Sequence, residues 1–216
     1  VTDFDIRDVR DPEAPEYAAA IEDAVTALRD GRLVVLPTDT VYGIAADAFA
    51  PAAVSALLIA KGRGRDHPVP VLVANPGVLH GLVTIAPEPA VRLTERFWPG
   101  ALTVIVESAP SLAWDLGDAG GTVAVRMPDS RVALDVLERT GPLAVSSANR
   151  HGQQPAETGR TAPAQLGRTV ELYLDAGPVR GGQPSTIVDC TITPPRVVRA
   201  GALSIEALRE VVPEIV

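Results

Sequence analysis

The sequence holds one cysteine, Cys190, so no internal disulfide can staple the fold. Its place in the run Thr186-Ile187-Val188-Asp189-Cys190 fits a buried thiol with no chemistry of its own. Aromatic residues are only 4%, against 46% hydrophobic in all, so the core must be built from alanine, valine and leucine. The three histidines, His67, His80 and His151, are scattered without metal-ligand spacing, and no paired cysteines or His-Glu-x-x-His pattern accompany them, which argues against a zinc site. Apolar runs all fall short of the roughly 20 residues needed to cross a bilayer. The start, Val1-Thr2-Asp3-Phe4-Asp5, has no basic region followed by an apolar stretch, so a cytoplasmic protein with no membrane contact is expected. Positive charge is also short: the net is −8, so a nucleotide or nucleic acid must be held by a local basic patch against the overall field.

Common nucleotide and hydrolase signatures are missing too. No Gly-x-x-x-x-Gly-Lys-Ser/Thr loop occurs, and Gly117-Asp118-Ala119-Gly120-Gly121 neither follows a clear strand nor opens a helix. Ser147 stands outside any Gly-x-Ser-x-Gly elbow, which counts against a serine hydrolase.

Helical spacing of Tyr17, Ile21, Val25 and Leu28 predicts a helix over 16–30 stopped by Gly31. Strands are expected at 33–36 and 42–46, and a helix opened by Pro51 and ended by Gly62 and Gly64, with Lys61 in or just past its last turn. Extended chain at 69–74 contains Pro70, which implies an edge position or an irregular start. A helix over 87–97, strands at 101–106 and 122–127, a helix capped by Asp129 or Ser130, and a strand at 143–147 follow. The remainder reads as a short helix at 162–166, a strand at 171–175, a loop at 177–184, strands at 185–191 and 197–199, and a last helix from Ser204 to Val212. The pairs 33–36/42–46 and 186–191/197–199 are too closely connected for helical crossovers. The expected class is therefore α/β: a single domain over 1–216, built on a twisted mixed parallel/antiparallel sheet flanked by helices.

Two segments stand out. Leu36-Pro37-Thr38-Asp39-Thr40-Val41-Tyr42-Gly43-Ile44 places short hydroxyls at a strand end, and Lys61-Gly62-Arg63-Gly64-Arg65 sets three cations on a glycine-broken loop suited to polyphosphate. That loop fits equally well a solvated basic helix terminus. Arg126, in an apolar strand, must sit at the strand end or meet an anion. Ser147 and Asn149 fit a simple turn cap, and Ser185-Thr186 fit ordinary strand residues.

With Trp98-Pro99-Gly100-Ala101-Leu102-Thr103, Thr122 to Pro128, Ser146-Ser147-Ala148-Asn149 and Ser185 to Asp189, six blocks from about residue 20 to residue 201 resemble, in order and spacing, the YrdC-like family of threonylcarbamoyl-AMP synthases. The resemblance implies condensation of L-threonine, bicarbonate and ATP to threonylcarbamoyl-AMP and pyrophosphate. The product would pass to a tRNA threonylcarbamoyl-transferase machinery for tRNA N6-threonylcarbamoyladenosine modification. Carried over, it places L-threonine at Thr38, Arg126 and Ser185, with Lys61 and Arg63 catalytic. ATP falls to Lys61, Arg63, Arg65, Thr122, Ser147, Asn149 and Arg199, and Mg2+ rides on the triphosphate without dedicated protein ligands. Gly64 stands where the family commonly has proline and Leu72 where it often has histidine, and the chain resembles the short single-domain form. Competing readings are an RNA-binding module without adenylating activity, disfavoured by the acidic balance, and a carbamoyl-adenylating enzyme of the same fold.

Overall fold

A computed structural model describes residues 4–179 and 182–216. Proline placement starts three of the longer helices: α1 (Pro15–Arg29), α2 (Pro51–Lys61) and, one residue after Pro87, α4 (Glu88–Phe97). Between α2 and α4 lies α3 (Gly77–Leu82). After them come α5 (Arg131–Thr140), α6 (Pro163–Leu166) and α7 (Ile205–Arg209), α5 and α7 capped by the hydroxyls of Ser130 and Ser204.

The strands are β1 (Ile6–Asp8), β2 (Val34–Leu36), β3 (Gly43–Asp47), β4 (Val71–Leu72), β5 (Leu102–Glu107), β6 (Thr122–Arg126), β7 (Leu143–Ser147), β8 (Leu172–Asp175), β9 (Thr186–Asp189) and β10 (Arg196–Arg199). They form one sheet in the order β1-β8-β2-β3-β7-β4-β6-β5-β9-β10. β2–β3 and β9–β10 pair antiparallel, as their short connections require, while β1–β8, β2–β8, β4–β6 and β5–β9 are parallel. The expected mixed α/β architecture is the one observed.

Alternation along the strands divides the core. Val35, Ile44, Val71, Val104, Val125 and Val188 face α2 and α4. Leu36, Ala45, Leu72, Leu143 and Leu174 face α1 and α5. Among the described residues, this second cluster takes in nothing from β5, β6, β9 or β10. On those strands the same face carries the half-buried Ala124, Ile105 and Ile187, so no helix layer covers it there.

The structure departs from the sequence reading in four places. Strand β1 and helix α3 were not anticipated: β1 has two half-buried residues and an exposed one and exists through its pairing with β8, and α3 contains two glycines. Of the two expectations for the Pro70 segment the edge position fails, since β4 is central, and the irregular start holds: Pro70 lies just outside the strand with its carbonyl accepting from Val145 N. The last helix stops at Arg209 instead of Val212. Within the expected loop 177–184, residues 180 and 181 lie outside the described residues.

Candidate functional site

Arg126 ends β6 on the uncovered face, and its guanidinium reaches three groups. It donates to Asp39 Oδ1, to Thr40 Oγ1 at 2.7 Å and to Gly100 O at 2.9 Å. Side-chain exposure is 8% for Arg126 and 18% for Asp39, so the pair is shielded. Burial pulls Arg126 below the usual arginine range and Asp39 opposes that, leaving a charged guanidinium. Both conditions inferred for this arginine hold, a strand end and an anionic partner. The Trp98-Pro99-Gly100 turn supplies its carbonyl acceptor.

Thr38 shapes the turn that delivers Asp39 and Thr40. Its hydroxyl donates to Val41 O at 2.6 Å and accepts from Val41 N at 3.2 Å, 3.1 Å from Thr40 Oγ1. Thr40 is thus the turn hydroxyl that touches Arg126. Neither Thr40 nor Asp39 was singled out from sequence. The need of a buried arginine for an acid was the signal that pointed to Asp39.

Across the neighbouring strands the polar row continues. The register of β5 against β6 sets Thr103 one step past the Val104–Val125 pair, opposite Arg126, and Thr103 Oγ1 lies 2.7 Å from Ser185 Oγ at the entry to β9. Arg199, at the end of β10, donates to Ser185 O at 2.8 Å and Ser185 Oγ at 3.0 Å. Its pKa is lowered by burial and then by the like charges of Arg126 and Arg63. Two guanidiniums therefore converge on hydroxyls, Arg126 on Thr40 and Arg199 on Ser185, with Asp39 as the carboxylate bonded to the first. Such a field selects an anion.

Lys61, Arg63, Ser147 and Asn149 meet where α2 ends against β7. Gly62 caps the helix at φ +64, with Arg63 N returning to Leu58 O, so Arg63 leaves the helix axis and its Nε donates to His151 Nδ1 at 3.2 Å. Lys61 does not project with it. It is 0% exposed, and its ammonium donates to Ser147 O and to Asn149 O at 2.8 Å, with Ser147 Oγ at 3.4 Å. Burial, then Arg63, lowers its pKa to about 7. The cation expected to project from the helix end toward phosphate is a buried one.

Two residues of the sequence-derived set stand apart. Arg65 is held at the surface by Asp115, at 2.8 and 2.9 Å, and by Asp118 at 3.2 Å, so its charge is already met. Thr122 shares the open face but starts β6 where Arg126 ends it, about 13 Å away at strand rise, with its hydroxyl on Ala119 O. Leu72, the histidine position of the resemblance, packs beside Arg126 in the α1/α5 cluster and offers no polar group. A surface depression of about 440 Å³, lined by Asp8, Arg10, Asp11, Ala14 and Glu16, is acidic and contains none of these residues. Among the described residues no group of three or more His, Cys, Asp or Glu could hold a metal, and no helix is long and apolar enough to cross a membrane.

The family model for Sua5, YciO and YrdC proteins, described as "Telomere recombination", matches residues 26–201. The chain belongs to the Sua5/YciO/YrdC family. A Mycobacterium leprae relative is 54% identical over 207 residues, spanning 96% of this chain and 93% of that protein. Threonylcarbamoyl-AMP synthase of Bacillus subtilis is 37% identical over 194 residues, 89% of this chain and 56% of that one. The Sua5 crystal structure from Pyrococcus abyssi complexed with L-threonine superimposes with a TM-score of 0.91 at 34% identity, covering 98% of this chain and 62% of that one. This chain thus spans a little over half the length of those two members of the family.

Proposed function

We propose that this protein is an L-threonylcarbamoyladenylate synthase, a nucleotidyltransferase that condenses L-threonine, bicarbonate and ATP into threonylcarbamoyl-AMP and pyrophosphate for tRNA modification. The observation that carries the reading is the convergence of Arg126 and Arg199 around the hydroxyls of Thr40, Thr103 and Ser185, with no nucleophile–base pair among them. Threonine's amine takes up bicarbonate, losing water, to give a carbamate. A carbamate oxygen then attacks the α-phosphorus and pyrophosphate leaves. That sequence needs no protein nucleophile; it needs reactants aligned and anionic oxygens stabilised, which fixed guanidiniums and hydroxyls supply.

In this reading Arg126 and Ser185 receive the threonine carboxylate and hydroxyl, held in register by Asp39, Thr40 and Thr103. Arg63 and Arg199 face the triphosphate. The donor set is cationic and hydroxylic, which fits phosphate oxygens and not a protein-held metal, so Mg2+ would be carried by phosphate oxygens and water. The test is pyrophosphate release from ATP with threonine or bicarbonate omitted in turn. Release that requires both supports the synthase, and release independent of threonine refutes it.

A further inference from the structure

Lys61 is the one lysine among the 19 lysine and arginine residues of the chain, and it is fully buried. We propose that Lys61 is a positioning residue and not a phosphate ligand: its side-chain nitrogen fixes the Ser147–Asn149 bend and thereby the place of the Ser147 hydroxyl. The inference rests on the anion-binding reading above, but its first test does not.

The geometry of the knot is specific. Protonated, Lys61 has three donors for Ser147 O, Asn149 O and the more distant Ser147 Oγ; neutral, it keeps two for the carbonyls and a lone pair to accept from the Ser147 hydroxyl. The backbone reciprocates, since Lys61 O accepts from His151 N at 2.8 Å. The far side of the bend is braced by Asn149 Nδ2, which donates to Arg150 O and Gln153 O, both at 2.8 Å. With its amide donors spent and Asn149 only 4% exposed, that side chain also serves the bend. Helix α2 and the chain after β7 are thus locked into one unit, from which Arg63 and the half-buried Ser147 emerge. A guanidinium could not replace the ammonium, because its planar fork of five donors does not converge on carbonyls gathered about one point. This accounts for a lone lysine in a chain whose other basic residues are all arginine.

A single lysine makes the test direct. An amine-specific reagent followed by peptide mass spectrometry reads Lys61 alone. Native protein should label at Lys61 at least ~100-fold slower than urea-denatured protein, because reaction requires local opening, and equally slowly with and without Mg-ATP. Fast labelling of the native chain that Mg-ATP suppresses would overturn the proposal. The second test is a double-mutant cycle on nucleotide affinity. Lys61→Met should weaken ATP, ADP and AMP by the same factor, and Ser147→Ala in that background should cost nothing further, since the lysine acts through the serine. A loss that grows with the number of phosphates, or losses that add, would refute it. Should Lys61→Met not fold, the labelling result decides.

Discussion

Arg126 is the residue on which the proposed amino-acid site depends, and its shielding sets the size of the effects. Arg126→Ala removes a charge-assisted contact worth roughly 1.5–3 kcal/mol, so kcat/KM for threonine should fall at least about tenfold. It also strands Asp39 in a site only 18% exposed, so the variant should lose about 3 kcal/mol of stability in urea denaturation. Arg126→Lys should recover little of either, because the fork to Asp39 and Thr40 is lost. Lys61 makes a separate prediction. Its folded pKa is near 7, against 10.5 ordinarily, so between those values the unfolded chain holds a proton that the folded chain does not. Stability should therefore rise from pH 7 toward pH 10, by an amount on the order of a few kcal/mol, and Lys61→Met should flatten that rise. Urea midpoints at pH 7 and pH 9 measure it; an equal slope in both proteins would refute the assignment.

At the scale of elements, the loops after α2 and before β6 act as a pair. Arg65 bridges to Asp115 and Asp118, Asp118 N donates to Arg65 O at 2.8 Å, and Gly117, at φ +104, lies where a Cβ would stand 2.8 Å from that same oxygen. Arg65 is half exposed, so the bridge should contribute under about 1 kcal/mol. Arg65→Ala should leave KM for ATP within about threefold of the parent, whereas Arg63→Ala should raise it about tenfold or more. Equal effects would return Arg65 to the phosphate set. The β9–β10 end is less tolerant: a Cβ on Gly201 would fall 2.4 Å from Pro184 O and 2.5 Å from Ser185 C. Gly201→Ala should displace Ser185 and the Arg199 bonded to it, lowering kcat/KM for threonine by about tenfold or more while the protein stays folded by circular dichroism.

The whole molecule carries −8 with, among the described arginines, only Arg126 and Arg199 bonded to the hydroxyls of the candidate site, and that balance separates a small-anion site from a nucleic-acid surface. Binding of tRNA or duplex RNA should be weak at physiological salt, fall steeply as salt rises, and be displaced by saturating Mg-ATP. Adduct formation should proceed without RNA. A tight RNA complex indifferent to ATP, with no pyrophosphate release, would favour the RNA-module reading.

Much of this was legible in the linear chain, because local rules govern it. Prolines at helix starts, Gly62 at a helix end, Ser130 and Ser204 at caps, and valine-rich runs in β5 and β6 each act through neighbours a few residues away. The antiparallel pairs followed from connections too short for anything else. Only the tertiary structure decided which residues meet. Asp39 and Arg126 are separated by 87 positions and Lys61 and Ser147 by 86, distances over which no periodicity speaks. It likewise decided which cations are free: Arg63 and Arg65 look alike in sequence, yet one faces a histidine and the other two carboxylates. Charge state and reach depend on burial and partners, and those are properties of the packed chain.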